Sequence, residues 1–162
     1  MKQYQIEGNK LILKVKKSPL FIRIIFFTVA ILFFIMPLAG MLMYISLGNG
    51  FHIGFLMGVF FFGIMGFYIL RMALWNTYGK ETITFNKDQI KYIADYGWFK
   101  DGSMSVKTPD SIDYSIRNIG YEDEHKGALI IGGGERPIFC VTKMKNEEIN
   151  ELIEVLLSDI SK

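Results

Sequence analysis

The sequence has one cysteine, four prolines and two histidines, and each scarcity excludes something. A single thiol, Cys140, cannot form an internal disulfide, which suits a reducing compartment. His52 and His125 have no Ser, Cys or carboxylate at a spacing that marks a catalytic partner. No enzyme activity, metal or other cofactor is therefore expected. A net charge of +2 gives no footprint for nucleic acid, which is not expected as a partner. The largest gap is in charge: no charged residue stands between Arg23 and Arg71.

What fills that gap is apolar. A bilayer core about 30 Å thick takes roughly 20 residues at 1.5 Å each, so the run is long enough to cross twice. Leu47-Gly48-Asn49-Gly50 is its one strong turn sequence. Two antiparallel helices follow, one near Leu20–Leu47 and one near Phe51–Ala73, with Trp75 and Tyr78 where an aromatic belt would lie. A cleaved signal peptide fits poorly, because the apolar run is too long and a second one follows. Pro37 predicts a kink in the first helix. Gly54 and Gly58 form a small-residue pair, explained equally by contact with the first helix or by a homo-oligomer.

Charge sets the orientation. Lys2, Lys10, Lys14, Lys16, Lys17 and Arg23 precede the hairpin against Glu7 alone, and Arg71, Lys80, Lys87 and Lys91 follow it. The connecting loop has no Lys or Arg, so both termini are expected in the cytoplasm.

Outside the apolar run the sequence alternates. Gln3–Lys17 reads as a β-hairpin turning at Gly8-Asn9, with Leu11, Leu13 and Val15 on one face and Lys10, Ile12, Lys14 and Lys16 on the other. Later strands are expected at Glu81–Asn86, Gln89–Tyr96, Ser103–Lys107, Ser111–Arg117, Ala128–Ile131 and Pro137–Thr142. Gly97–Gly102 is a turn holding Trp98 and Phe99. From Asn146, an expected N-cap, Ile149, Leu152, Ile153, Leu156, Leu157 and Ile160 mark one amphipathic helix. The N-terminal hairpin is too small to be stable alone and is expected to join the later strands.

That makes two strands before the apolar run and five or six after it, Ser103–Lys107 being the weakest. Seven antiparallel strands closed by a C-terminal helix outline a pleckstrin-homology (PH)-like fold. The expected class is membrane α+β: a two-helix transmembrane hairpin plus a PH-like antiparallel β-barrel or sandwich capped by a helix. The expected parts are 1–19, the strand hairpin; 20–75, the membrane hairpin; and 79–162, the cytoplasmic PH-like domain.

Trp75-Asn76-Thr77-Tyr78-Gly79-Lys80-Glu81-Thr82-Ile83, directly after the second apolar run, resembles the junction in small bacterial proteins with two transmembrane helices and a cytoplasmic PH-like domain. The resemblance implies a bacterial inner-membrane, multi-pass protein and supplies no catalytic residues.

Candidate sites are few. Glu122, Asp123, Glu124 and His125 are contiguous and lack calcium-loop spacing, so a solvated turn is expected. Gly132–Arg136 lacks the Lys-Ser/Thr of a phosphate loop and reads as a hairpin turn. The basic strand face, Lys10, Lys14 and Lys16 with Lys17, suits an anionic leaflet, although topology-setting charge explains the same residues. Lys10, Lys14, Lys16, Lys17, Trp98, Phe99 and Arg136 are the expected lipid- or partner-binding residues. The expected function is a non-enzymatic, membrane-tethered interaction module for a protein partner or anionic lipid. The alternative is an immunity protein against a secreted or membrane-acting bacterial toxin.

Overall fold

A computed structural model describes residues 2–109, 111–119, 125–132 and 136–160, with Asp159 and Ile160 described by backbone alone. The chain forms two compact units, one of Lys17–Thr77 and one of Met1–Lys16 with Tyr78–Lys162.

The first unit is helical. Helix α1 spans Leu20–Ser46 and α2 spans Ile53–Tyr78, at 27 and 26 residues, and both are long and apolar enough to cross a membrane. The helices meet through aromatic pairs, Phe33 with Phe62 and Tyr44 with Phe55, at centroid distances of 5.6 and 5.0 Å. Their close approach is at Gly66, where a Cβ would lie 3.0–3.2 Å from Phe33 and Phe34. A Cβ at Gly58 would meet nothing, and one at Gly54 only the His52 ring, so that pair is not where α1 and α2 touch.

Helix α2 runs past Ala73 because the polar residues there stay inside its hydrogen-bond ladder. The Asn76 amide donates to the Met72 carbonyl at 2.8 Å and the Thr77 hydroxyl to Ala73 at 2.7 Å. At the other end, the Gly54 N–H donates to His52 Nδ1 at 3.1 Å. His52 thus caps the first turn of α2.

The second unit is built on two antiparallel sheets. Strands β1 (Tyr4–Glu7), β2 (Lys10–Lys14), β3 (Lys80–Phe85), β4 (Gln89–Asp95) and β5 (Lys100–Lys107) lie in that order in one sheet. Strands β6 (Asp113–Asn118), β7 (Lys126–Gly132), β8 (Ile138–Phe139) and β9 (Met144–Lys145) form the other, with β7 paired to all three neighbours. Among the described residues there is no closed barrel: β1 and β5 are edges of one sheet and do not pair with the other. Helix α3 (Asn146–Ile160) packs on β6, β7 and β9. Leu11, Leu13 and Ile83 from the first sheet, Leu129, Ile131 and Ile138 from the second, and Ile149 and Leu152 from α3 are buried.

Strands β2 and β3 pair directly, Lys14 opposite Lys80 and Lys10 opposite Thr84. The whole helical unit therefore occupies the position of a turn between two neighbouring strands. The ladder runs one step further, with the Val15 N–H donating to the Gly79 carbonyl at 3.0 Å.

Two strands differ from their sequence patterns. Strand β5 begins at Lys100, well before Ser103. Opposite Ile93 it carries an extra residue, because Tyr92 pairs with Met104 and Ala94 with Asp101. Gly102, at φ +62°, makes this bulge possible. The alternation over Pro137–Thr142 yields only the two residues of β8. Past Cys140, whose N–H still bonds Leu129 at 3.0 Å, the backbone amides turn to a side chain of the first sheet. Asn146 opens α3, but its side-chain amide donates to Asn118 Oδ1 at 3.3 Å and does not cap the helix.

Candidate functional site

Glu81 is that side chain. It shares the inward parity of Ile83 and is fully buried. Its Oε1 accepts the Val141 N–H and its Oε2 the Thr142 N–H, each at 2.7 Å. The Tyr92 hydroxyl also donates to Oε1. Burial and then the Glu81 charge push the Tyr92 phenol well up, so it stays a donor. Burial, and secondarily Glu81, raises the nearby Cys140 thiol too. Three donors satisfy the carboxylate, and the cluster is a fastening between sheets with no access for a substrate.

The accessible candidate lies at one end of the five-stranded sheet. Register places Lys14, Lys80, Asp95 and Lys100 at the ends of four consecutive strands. Lys16 follows Lys14 two residues on and is exposed. Across the row, Lys14 Nζ donates to Gln5 at 2.9 Å and Lys80 Nζ lies 3.3 Å from Asp95. Neighbouring strands are about 4.8 Å apart, so four of them span about 14 Å.

The β4–β5 turn rises from the same end and is tightly built. Gly97 has φ +87°, a conformation open to glycine. Its N–H donates to Asp95 Oδ1 at 2.8 Å, and the Tyr96 N–H to the Phe99 carbonyl at 2.9 Å. The Tyr96 and Phe99 rings stack at 4.9 Å and 11°. A Cβ at Gly97 would lie 2.8 and 2.9 Å from Cβ and Cγ of Tyr78, so the turn is seated against the last residue of α2. Burial alone would raise the Asp95 carboxyl. The Gly97 amide and the Lys80 ammonium outweigh it and hold that carboxyl below its usual range. Trp98, next to Gly97, is 69% exposed.

The expected binding residues are thus divided. Lys14, Lys16 and the turn carrying Trp98 and Phe99 share one sheet end. Phe99 is half-buried, taken up by its stack on Tyr96. Lys10 stands at the opposite end of β2, against Glu7 and Thr84, about 13 Å from Lys14 at 3.3 Å per residue. Arg136 is exposed between β7 and β8 of the other sheet. Lys17 is the first residue of the helical unit. Glu122, Asp123 and Glu124, and Gly133–Glu135 of the glycine turn, fall outside the described residues.

The sequence pattern marks Tyr78 as an aromatic-belt residue and Lys80 as a topology-setting charge, but gives neither of them, nor Lys100 or Glu81, as a site residue. Only Glu81 carries a local signal, as a carboxylate on the inward beat of an alternating strand. Among the described residues no cluster of three or more His, Cys, Asp or Glu is placed to hold a metal. No family model, curated protein or solved structure matches this chain.

Proposed function

We propose that this chain is a non-enzymatic interaction module with a PH-like β-unit, tethered in a bacterial inner membrane by α1 and α2. Both termini lie in the cytoplasm, and the module binds a protein partner or anionic lipid there. One observation carries the reading: the apolar side chains of both helices stay uncovered. Phe21 is 74% exposed, Met43 67%, Ile53 71%, Phe60 61% and Tyr68 63%. Water opposes such a surface by about 25 cal/mol for each Å², and a helix apolar on all sides belongs in a core or in lipid. The lysines before α1 and the uncharged α1–α2 connection support the orientation. The satisfied, enclosed state of Glu81 supports a binding role over a catalytic one.

Impermeant thiol labelling of intact bacteria tests this reading. Cys140 is buried and contributes little background. Asn49→Cys in the α1–α2 connection should be labelled from outside, and Lys87→Cys in the β3–β4 turn only after lysis. The opposite pattern, or release of the chain by alkaline carbonate, overturns the proposal.

A further inference from the structure

We propose that the end of the five-stranded sheet carrying Lys14, Lys16, Lys80, Lys100 and Trp98 is a docking edge for an anionic lipid surface, the leaflet that α1 and α2 leave. This rests on the membrane-tethered reading and names the ligand of that module. Three observations converge on it.

The first is covalent. β2 leads out of the β-unit towards α1 from this edge, and β3 starts from it directly after α2, with Lys14 opposite Lys80. Whatever surface the helices enter lies within a few residues of these strand ends. The second is the seating of the turn. Gly97 packs on Tyr78, the final residue of α2, so Trp98 is tied to the point where the chain leaves that helix. Tyr78 is half exposed, and the two aromatic residues stand where a membrane–water interface favours Trp and Tyr. The Tyr96–Phe99 stack and the Asp95–Gly97 hydrogen bond order the turn in advance, so little freedom is lost when Trp98 inserts.

The third is charge. Four lysines at this edge face two carboxylates, Asp95 and Asp101. Asp95 is engaged by Lys80 and the Gly97 amide. On the β1 side, Glu148 and Glu151 of α3 are engaged by the Gln3 N–H and the Lys2 ammonium. The edge is therefore net basic over a width of about 14 Å. That exceeds the Debye length of about 8 Å at physiological salt, so the lysines act on whatever lies directly against them. Flexible lysine stems around one rigid indole suit a fluid array of headgroups. A protein surface would call for fixed, directional partners.

The full chain in lipid nanodiscs tests this. Trp75 and Trp98 are its only tryptophans, so Trp75→Phe leaves Trp98 as sole reporter, and Trp98→Phe in the native chain gives the complementary difference. In discs with 30 mol% phosphatidylglycerol, Trp98 emission should shift to the blue. Acrylamide quenching should fall at least twofold relative to phosphatidylcholine discs, and bromine on the upper acyl chain should quench it. Lys16→Glu with Lys100→Glu should abolish the difference between the two lipids. Trp98 that stays water-accessible in both discs faces solvent, as a protein-docking surface would, and overturns the lipid assignment. An equal shift in both discs overturns the role of the lysines. Protease accessibility of the α1–α2 connection in the same discs separates the two claims: helices that fail to insert overturn the tethered reading, while inserted helices with a water-exposed Trp98 overturn only the docking edge.

Discussion

The carboxylate of Glu81 and the backbone N–H of Thr142 meet at 2.7 Å, joining β3 of the first sheet to the chain just past β8 of the second. The bond is made in a dry interior, where a carboxylate is tolerated only if its oxygens are satisfied. It also explains why β8 stops at Phe139. The amides that would extend it are committed to Glu81.

Removing this fastening should cost much of the stability of the β-unit. Glu81→Ala strands the buried Thr142 amide, the part-buried Val141 amide and the Tyr92 hydroxyl, at an expected cost of about 3 kcal/mol. Glu81→Gln keeps one acceptor and should cost about half as much. Cys140 is a built-in reporter, being 1% exposed. In the native chain its thiol should resist maleimide at neutral pH, whereas in Glu81→Ala it should react many times faster. Equal rates in the two proteins would show that Glu81 does not hold the sheets together.

Gly97 should tolerate no side chain. Gly97→Ala meets Tyr78 at 2.8 Å as well as the strain of φ +87°, while Gly8→Ala at φ +57° meets only open space. Gly8→Ala should cost about 1 kcal/mol and Gly97→Ala about 2–3 kcal/mol. Thermal melts of the full chain in detergent, followed by near-ultraviolet circular dichroism, would rank them. A Gly97→Ala chain as stable as Gly8→Ala would mean that the turn is not seated on Tyr78.

The Asp95 carboxyl predicts an acid limit. Its folded value lies below that of the unfolded chain, which is about 4. The stabilisation is therefore complete above about pH 5 and is lost as the pH falls through the folded value. Asp95→Asn should be less stable than the native chain at pH 7, and the gap should narrow as the pH falls below about 4. A gap that persists unchanged at pH 3 would assign the effect to packing and not to charge.

Apolar content made the two long helices legible, because a run without charge needs no knowledge of its neighbours. The period of Ile149, Leu152 and Leu156 did the same for α3. Alternation also marked most strands, since one face of each is buried. What it could not show was pairing. Lys10 and Lys14 share a face of β2, but only the register with β3 puts one at each end of the sheet. Likewise, nothing local to Pro137–Thr142 reveals that a glutamate more than fifty residues earlier draws its amides away. Of the expected barrel or sandwich, the described residues show no closed barrel, and strand number alone does not say which edges meet. The proposed docking edge is non-local throughout, since Lys14, Tyr78, Lys80 and Trp98 come together only when β2 pairs with β3 and β4 turns into β5.

Because β2 and β3 are neighbours in space but lie on opposite sides of the helical unit, a ribosome completes one long before it begins the other. Until then β1 and β2 wait with an open edge, the condition that invites wrong pairing. In the folded chain the Ser18 N–H bonds the Asn76 carbonyl at 3.3 Å, so the two ends of the insertion that separates β2 from β3 lie together. Newly made chains stalled short of Lys80 should therefore be the ones that quality-control proteases find first.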